Sequence, residues 1–138
     1  MPSITNKFPK VSVKIVFRCG GHFLYYITKS GIRDIPGGHV NFGETILEAL
    51  KRELKEELGY KLTKAPKFLD TWSYIRKDKN AHRIYFVFTL KLPTKNNFKS
   101  LEFGDDLEFI WLHKNQIKEQ KFLPEMEALF LKVFKQRK

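Results

Sequence analysis

A single cysteine, Cys19, among 138 residues leaves no partner for an intramolecular disulfide and excludes a multi-cysteine zinc site. No apolar run approaches the roughly 18–20 residues that cross a bilayer. The first residues, Met1 to Lys7, lack the continuous apolar stretch of a secretory signal, so no membrane partner is expected and the expected compartment is the cytoplasm. Repeats, low-complexity tracts and linkers are absent too, and one domain over residues 1–138 is expected. Arginine is scarce: six (Arg18, Arg33, Arg52, Arg76, Arg83, Arg137) of 26 basic side chains. Lysine is the weaker residue for bidentate recognition of phosphates and bases, so the excess of positive charge does not by itself point to RNA.

What is present is a core and an uneven charge. Hydrophobic residues make up 42% of the chain, enough to exclude a disordered or fibrous protein. The net charge is +11. Residues 1–43 carry six basic and one acidic side chain, residues 44–59 three and five, and residues 60–138 seventeen and nine. A short acidic island therefore interrupts a basic chain.

Hydrophobic periodicity places the elements. Val11 to Phe17 alternates with period two, and Gly20-Gly21 turns it into a second strand over His22 to Thr28. From Thr45 to Leu58 the period lengthens. Leu47, Leu50, Leu54 and Leu58 form one stripe of a helix, which Gly59 ends. Phe68 to Arg76 and His82 to Leu92 read as strands joined across Lys77 to Asn80, and Leu107 to His113 as a shorter one. Pro124 to Lys135 is a helix with Met126, Leu129, Phe130, Val133 and Phe134 on one side. The whole predicts an α/β domain with a mixed sheet covered on both faces.

The acidic island lies on the first helix. Glu53, Glu56 and Glu57 are three and four residues apart and share one side of it, with Arg52 placed to reach Glu48 and Glu56. Gly38 is followed by five residues, then Glu44, seven residues, and Arg52-Glu53-Leu54-Lys55-Glu56-Glu57-Leu58-Gly59. This pattern resembles the Nudix box, the signature of hydrolases that cleave nucleoside diphosphates linked to another group. Tyr60 departs from the pattern, which usually has an aliphatic residue there, and should change packing only. Outside the box the likeness is one of order and type. It includes strands on both sides, the run Glu108-Phe109-Ile110-Trp111 and a closing helix. The resemblance implies a Nudix-type α/β/α sandwich with a mixed central sheet.

Crowded carboxylates are hard oxygen donors that suit Mg²⁺ or Mn²⁺. By resemblance, Glu53, Glu56 and Glu57 hold the metal with the Gly38 carbonyl, Arg52 orients the carboxylates, and Glu44 stands behind them or on a further metal. The general base is either a carboxylate of the box or one from the loop before the last strand. Glu102 is the choice there, with Asp105, Asp106 and Glu53 as rivals. His39, Tyr74, Arg76 and Arg83 are candidates for contact with substrate.

The implied reaction is attack of water on phosphorus in the diphosphate linkage of a small nucleotide. A nucleoside triphosphate comes first among substrates. The 5′ triphosphate end of RNA and dinucleoside polyphosphates are alternatives, because the +11 charge would favour a polyanion. A reading of another class is a nucleotide- or RNA-binding module without hydrolysis. The complete acidic set and the lack of a basic-aromatic RNA signature count against it.

Overall fold

The computed structural model describes residues 8–135. The segment Met1 to Lys7, where no leader is expected, lies outside them. The first strand, β1 (Lys10–Cys19), alternates side chains between two buried faces. Gly20, at φ +58°, and Gly21 turn it into β2 (His22–Thr28). Two short strands come next, β3 (Arg33–Asp34) and β4 (Gly37–His39). Helix α1 (Ile46–Leu58), the long hairpin β5 (Lys67–Arg76) and β6 (Ala81–Lys91), strand β7 (Leu107–His113) and helix α2 (Pro124–Lys135) complete the chain.

Strands β3, β2, β1, β6 and β5 lie side by side in that order, with β7 along β2 and β4 along β1. The β1–β6 pair is parallel and the others are antiparallel, so the sheet is mixed. Strands β1 and β2 pair only near their turn, at Arg18–Phe23 and Cys19–His22. Beyond it they part. The edge of β1 is then taken by β4, with Val13 opposite Gly38 and Lys14 opposite Gly37. The edge of β2 is taken by β3, with Tyr26 opposite Asp34. This split in the sheet positions the candidate site.

Each face carries its own core. Val16, Phe23, Tyr25, Val87, Leu112 and Ile117 pack beneath Met126, Leu129, Phe130 and Val133 of α2. Val13, Ile15, Phe17, Leu24 and Leu90 pack beneath Ala49, Leu50, Leu54 and Leu58 of α1. The result is the expected α/β/α sandwich. Each large side chain buried this way contributes about 1.5–3 kcal/mol before entropy is counted.

Helix α1 departs from its predicted stripe at one position. Leu47 is exposed and Ala49 is buried in its place. Leu47 lies in the first turn, where it borders the segment Leu62 to Pro66. Thr45 is the N-cap, its hydroxyl accepting from the Glu48 N–H at 3.1 Å while the Glu48 carboxylate accepts from the Thr45 N–H at 2.8 Å. This reciprocal cap fixes the first turn and engages Glu48. At the other end Gly59 adopts φ +68° and closes the helix. Tyr60 packs edge-on against Phe17, with ring centroids 5.1 Å apart, so its departure from the aliphatic pattern is met by an aromatic neighbour.

Candidate active site

The side chain at the centre is Arg52. Its five N–H donors make five hydrogen bonds. Nε donates to Glu44 Oε2 at 2.7 Å and Nη2 to Glu44 Oε1 at 3.1 Å. Nη1 donates to Glu53 at 3.0 Å and to Glu56 at 3.1 Å, and Nη2 also reaches the His39 carbonyl at 2.9 Å. The pairing with Glu56 matches expectation, and the pairing with Glu48 does not form, because Glu48 caps the helix. Arg52 instead ties three glutamates to the loop before α1. Its own affinity for the proton rises, first through Glu44. Glu44, which also accepts from the Asn41 N–H at 2.8 Å, is held below the usual carboxylate range chiefly by its hydrogen bonds to Arg52.

Glu57 differs from its neighbours in being buried, at 5% exposure. It lies under the glycines of β4, and its Oε1 accepts from the Gly37 N–H at 3.4 Å. Burial pushes its carboxyl up to about 7, against the opposing pull of Lys14 and the Gly37 N–H, while Glu53 and Glu102 add to the rise. The glycines are required by space. A Cβ at Gly38 would overlap the Glu53 carboxylate, and one at Gly37 would overlap the Val13 carbonyl. Gly37 also sits at φ +144°, where other residues are strained.

The loop carrying Glu102 is fastened to the end of α1. The Leu101 N–H donates to the Glu57 carbonyl at 2.7 Å. Ser100, which is buried, accepts from the Phe103 N–H through its hydroxyl at 2.9 Å. This brings the charge of Glu102 to bear on Glu57. Of the other carboxylates in that loop, Asp106 is drawn to Lys29 at 3.1 Å and Asp105 is exposed. An open cleft of about 660 Å³ separates this loop from β2, with Glu57, Tyr26 and Phe103 among its lining.

His39 lies beside the cluster. Its Nδ1 is 3.1 Å from Ser12 Oγ and its Nε2 is 3.4 Å from Arg83 Nη1. Desolvation lowers its pKa, and Arg83, Lys10 and Lys14 lower it further. Tyr74 is partly exposed opposite Arg83 on the neighbouring strand. Arg76 stands at the end of the β5–β6 hairpin, forked onto Asp78 at 2.7 and 2.9 Å. The structure thus brings His39 and Arg83 together, and sets Arg76 on Asp78 with its Nη1 3.5 Å from the Tyr74 hydroxyl.

A model of the NUDIX domain family matches residues 9–133. The chain belongs to the Nudix family. It is 38% identical over 76 residues to the ADP-ribose pyrophosphatase of Methanocaldococcus jannaschii. That match takes in 51% of this Nudix chain and 44% of the relative, so it spans less than half of the relative's length. Among solved structures, the MutT Nudix hydrolase of Burkholderia pseudomallei shares the fold at a TM-score of 0.77 and 22% identity, over 91% of this chain and 98% of that one. A bifunctional NMN adenylyltransferase/ADP-ribose pyrophosphatase from Francisella tularensis, complexed with AMP and a manganese ion, shares it at 0.70 and 21%. The latter match covers 94% of this chain and 42% of that one.

Two residues near the Nudix box carry no signal in the sequence. Lys14, on β1, faces Glu57 and pairs with Asp34 at 3.2 Å. Tyr26, on β2, loses its proton less readily than a free tyrosine, chiefly through burial and then through Asp34 and Glu57. Both stand in ordinary alternating strands, and nothing local sets them apart. They meet Glu57 because the sheet splits.

Proposed function

We propose that this Nudix protein hydrolyses the diphosphate linkage of a nucleotide derivative in a divalent-metal-dependent reaction, with water attacking phosphorus. The observation that carries this reading is the Arg52 clamp, which gathers Glu44, Glu53 and Glu56 beside the buried Glu57. Among the described residues no three His, Cys, Asp or Glu side chains stand in ligand geometry, and Arg52 supplies the neighbouring positive charge. The donor set nevertheless fits Mg²⁺ or Mn²⁺. It consists of hard carboxylate oxygens, and Glu57 is buried with a single long hydrogen bond from Gly37, which leaves capacity for a cation.

Glu53, Glu56 and Glu57 would hold the ion, with the Gly38 carbonyl as a further oxygen. A bound ion supplies charge neutralisation at the phosphates and a lowered pKa for the attacking water. The remaining work falls to the chain. Arg52 holds Glu53 and Glu56 close together through its bonds at 3.0 and 3.1 Å. Glu102 takes the proton from water, its loop held in place by the Leu101–Glu57 backbone bond. Glu53 is the weaker candidate for that step, because its carboxylate is already engaged by Arg52 at 3.0 Å and would also hold the ion.

The substrate reading begins with nucleoside triphosphates and extends to ADP-ribose, on which the M. jannaschii relative is named to act. The test is nucleotide and phosphate release from a panel of both kinds, with Mg²⁺ and with excess chelator. Turnover with Mg²⁺ and its loss in chelator are expected. Undiminished turnover in chelator would overturn the metal reading, and no turnover of any nucleotide would overturn the enzyme reading.

A further inference from the structure

The sheet face beneath α2 extends beyond the helix. In register with Val16 and Val87 beneath α2, it continues through Lys14, Ser12 and Lys10 on β1, Tyr85 and Arg83 on β6, and Trp72 and Tyr74 on β5. At its outer end Lys10 and Arg83 stand directly opposite one another. Like charges in that position repel and weaken a sheet. Among the described residues neither of them forms an ion pair, whereas Lys14 has Asp34.

Arg83 has a different partner. Its Nη1 is a donor only, so at 3.4 Å it donates to His39 Nε2. His39 then carries its proton on Nδ1 and donates it to Ser12 Oγ at 3.1 Å, inside the sheet. This contact orients one edge of the guanidinium at the surface of the sheet. His39 directly follows Gly38, and its carbonyl is one of the acceptors of Arg52. The basic end of the face and the carboxylate cluster therefore share a wall. An open cleft of about 540 Å³ runs along that wall, with Lys10, His39 and Asn41 among its lining and the exposed ring of Phe42 at its rim.

Two adjacent cations with no carboxylate between them repel one another unless an anion joins them, and an arginine held by a neighbour is suited to grip a phosphate. We propose that Lys10 and Arg83, the latter positioned by His39, bind an anionic group that the substrate carries beyond the diphosphate to be cut. The protein then favours nucleotides with a third or further phosphate over diphosphates that end in a neutral sugar. This rests on the diphosphate-cleaving function proposed for the site and narrows its substrate.

Steady-state kinetics with ATP and ADP-ribose test it, since the two share an AMP half and differ in the group joined to it. In the Lys10→Gln/Arg83→Gln double variant the ratio of kcat/KM for ATP to that for ADP-ribose should fall by about tenfold or more, with KM for ATP carrying most of the change. Arg83→Lys should restore part of it, and Lys118→Gln, an exposed lysine elsewhere, should leave the ratio alone. A ratio unchanged in the double variant would overturn the inference while leaving the hydrolase reading intact. Binding of inorganic tripolyphosphate by calorimetry without metal gives a second readout that needs no turnover. The wild-type chain should bind it at least about tenfold more tightly than the double variant, and equal affinities would overturn the inference even if no nucleotide were cleaved.

Discussion

Helices α1 and α2 have nearly the same length, lie on opposite faces of one sheet, and bury different kinds of side chain. The buried residues of α2 are Met126, Leu129, Phe130 and Val133, all apolar. Those of α1 include Ala49, Leu50, Leu54 and Leu58 but also Glu57. A carboxylate under a sheet costs free energy unless it is compensated, and here the compensation is thin. One helix obeys the rules of packing throughout. The other breaks them at Glu57, a residue that the Nudix box specifies.

The contrast can be broken first on the packing side. Phe130 is fully buried and stacks on Phe23, with ring centroids 4.2 Å apart. Phe130→Ala should cost about 3–5 kcal/mol in denaturant unfolding, yet leave kcat of the folded fraction nearly unchanged. A specific loss of kcat would tie α2 to the chemistry. On α1 the reverse is expected. Glu56→Gln and Glu57→Gln should each lower turnover by at least about a hundredfold with the fold retained. Near-normal turnover at saturating metal would remove these residues from the ligand set.

Glu102 sharpens the comparison, since it belongs to neither helix and is tied to the end of α1. Glu102→Gln should reduce kcat by about a hundredfold while metal affinity changes little, as loss of a general base requires. A larger loss in Asp105→Asn or Asp106→Asn would move the base within the same loop.

Stability against pH separates the two helices further. Glu57 has its proton affinity raised to about 7 in the folded chain, from an ordinary value of 4.5. The unfolded chain loses this proton first, so stability falls as pH rises from the unfolded value through about 7. In chelator, Glu57→Gln should therefore be stabilising above that range, by up to about 3 kcal/mol, and close to neutral at pH 4. Thermal melts at pH 4 and pH 8 check the sign, and an equal shift at both would refute the account. The smallest effect is expected at the helix start, where Thr45→Ala should cost about 1 kcal/mol through loss of the cap.

Much of the architecture was legible in the residues. The period-two runs, the Gly20-Gly21 turn and the apolar side of α2 all lie where the sequence placed them, because each depends on neighbours a few positions away. Glu48 departs from expectation for a physical reason. Helical spacing shows which residues can meet and says nothing of which partner wins. Glu48 is taken by Thr45, and Arg52 turns to Glu44 and the His39 carbonyl instead.

By itself the sequence determined the elements, the crowding of Glu53, Glu56 and Glu57 on one helix side, and the box spacing that marks the Nudix family. These are short-range matters of period, cap and offset. Tertiary structure decided the rest. The divergence of β1 and β2 lets β4 lay its glycines over Glu53 and Glu57, buries one of three adjacent glutamates, and sets Lys14 against it. It also fastens the Glu102 loop to α1 and places Arg83 on His39, 44 residues apart. The burial and the electric field around a carboxylate come from segments remote in the chain, and no pattern within one segment can encode them.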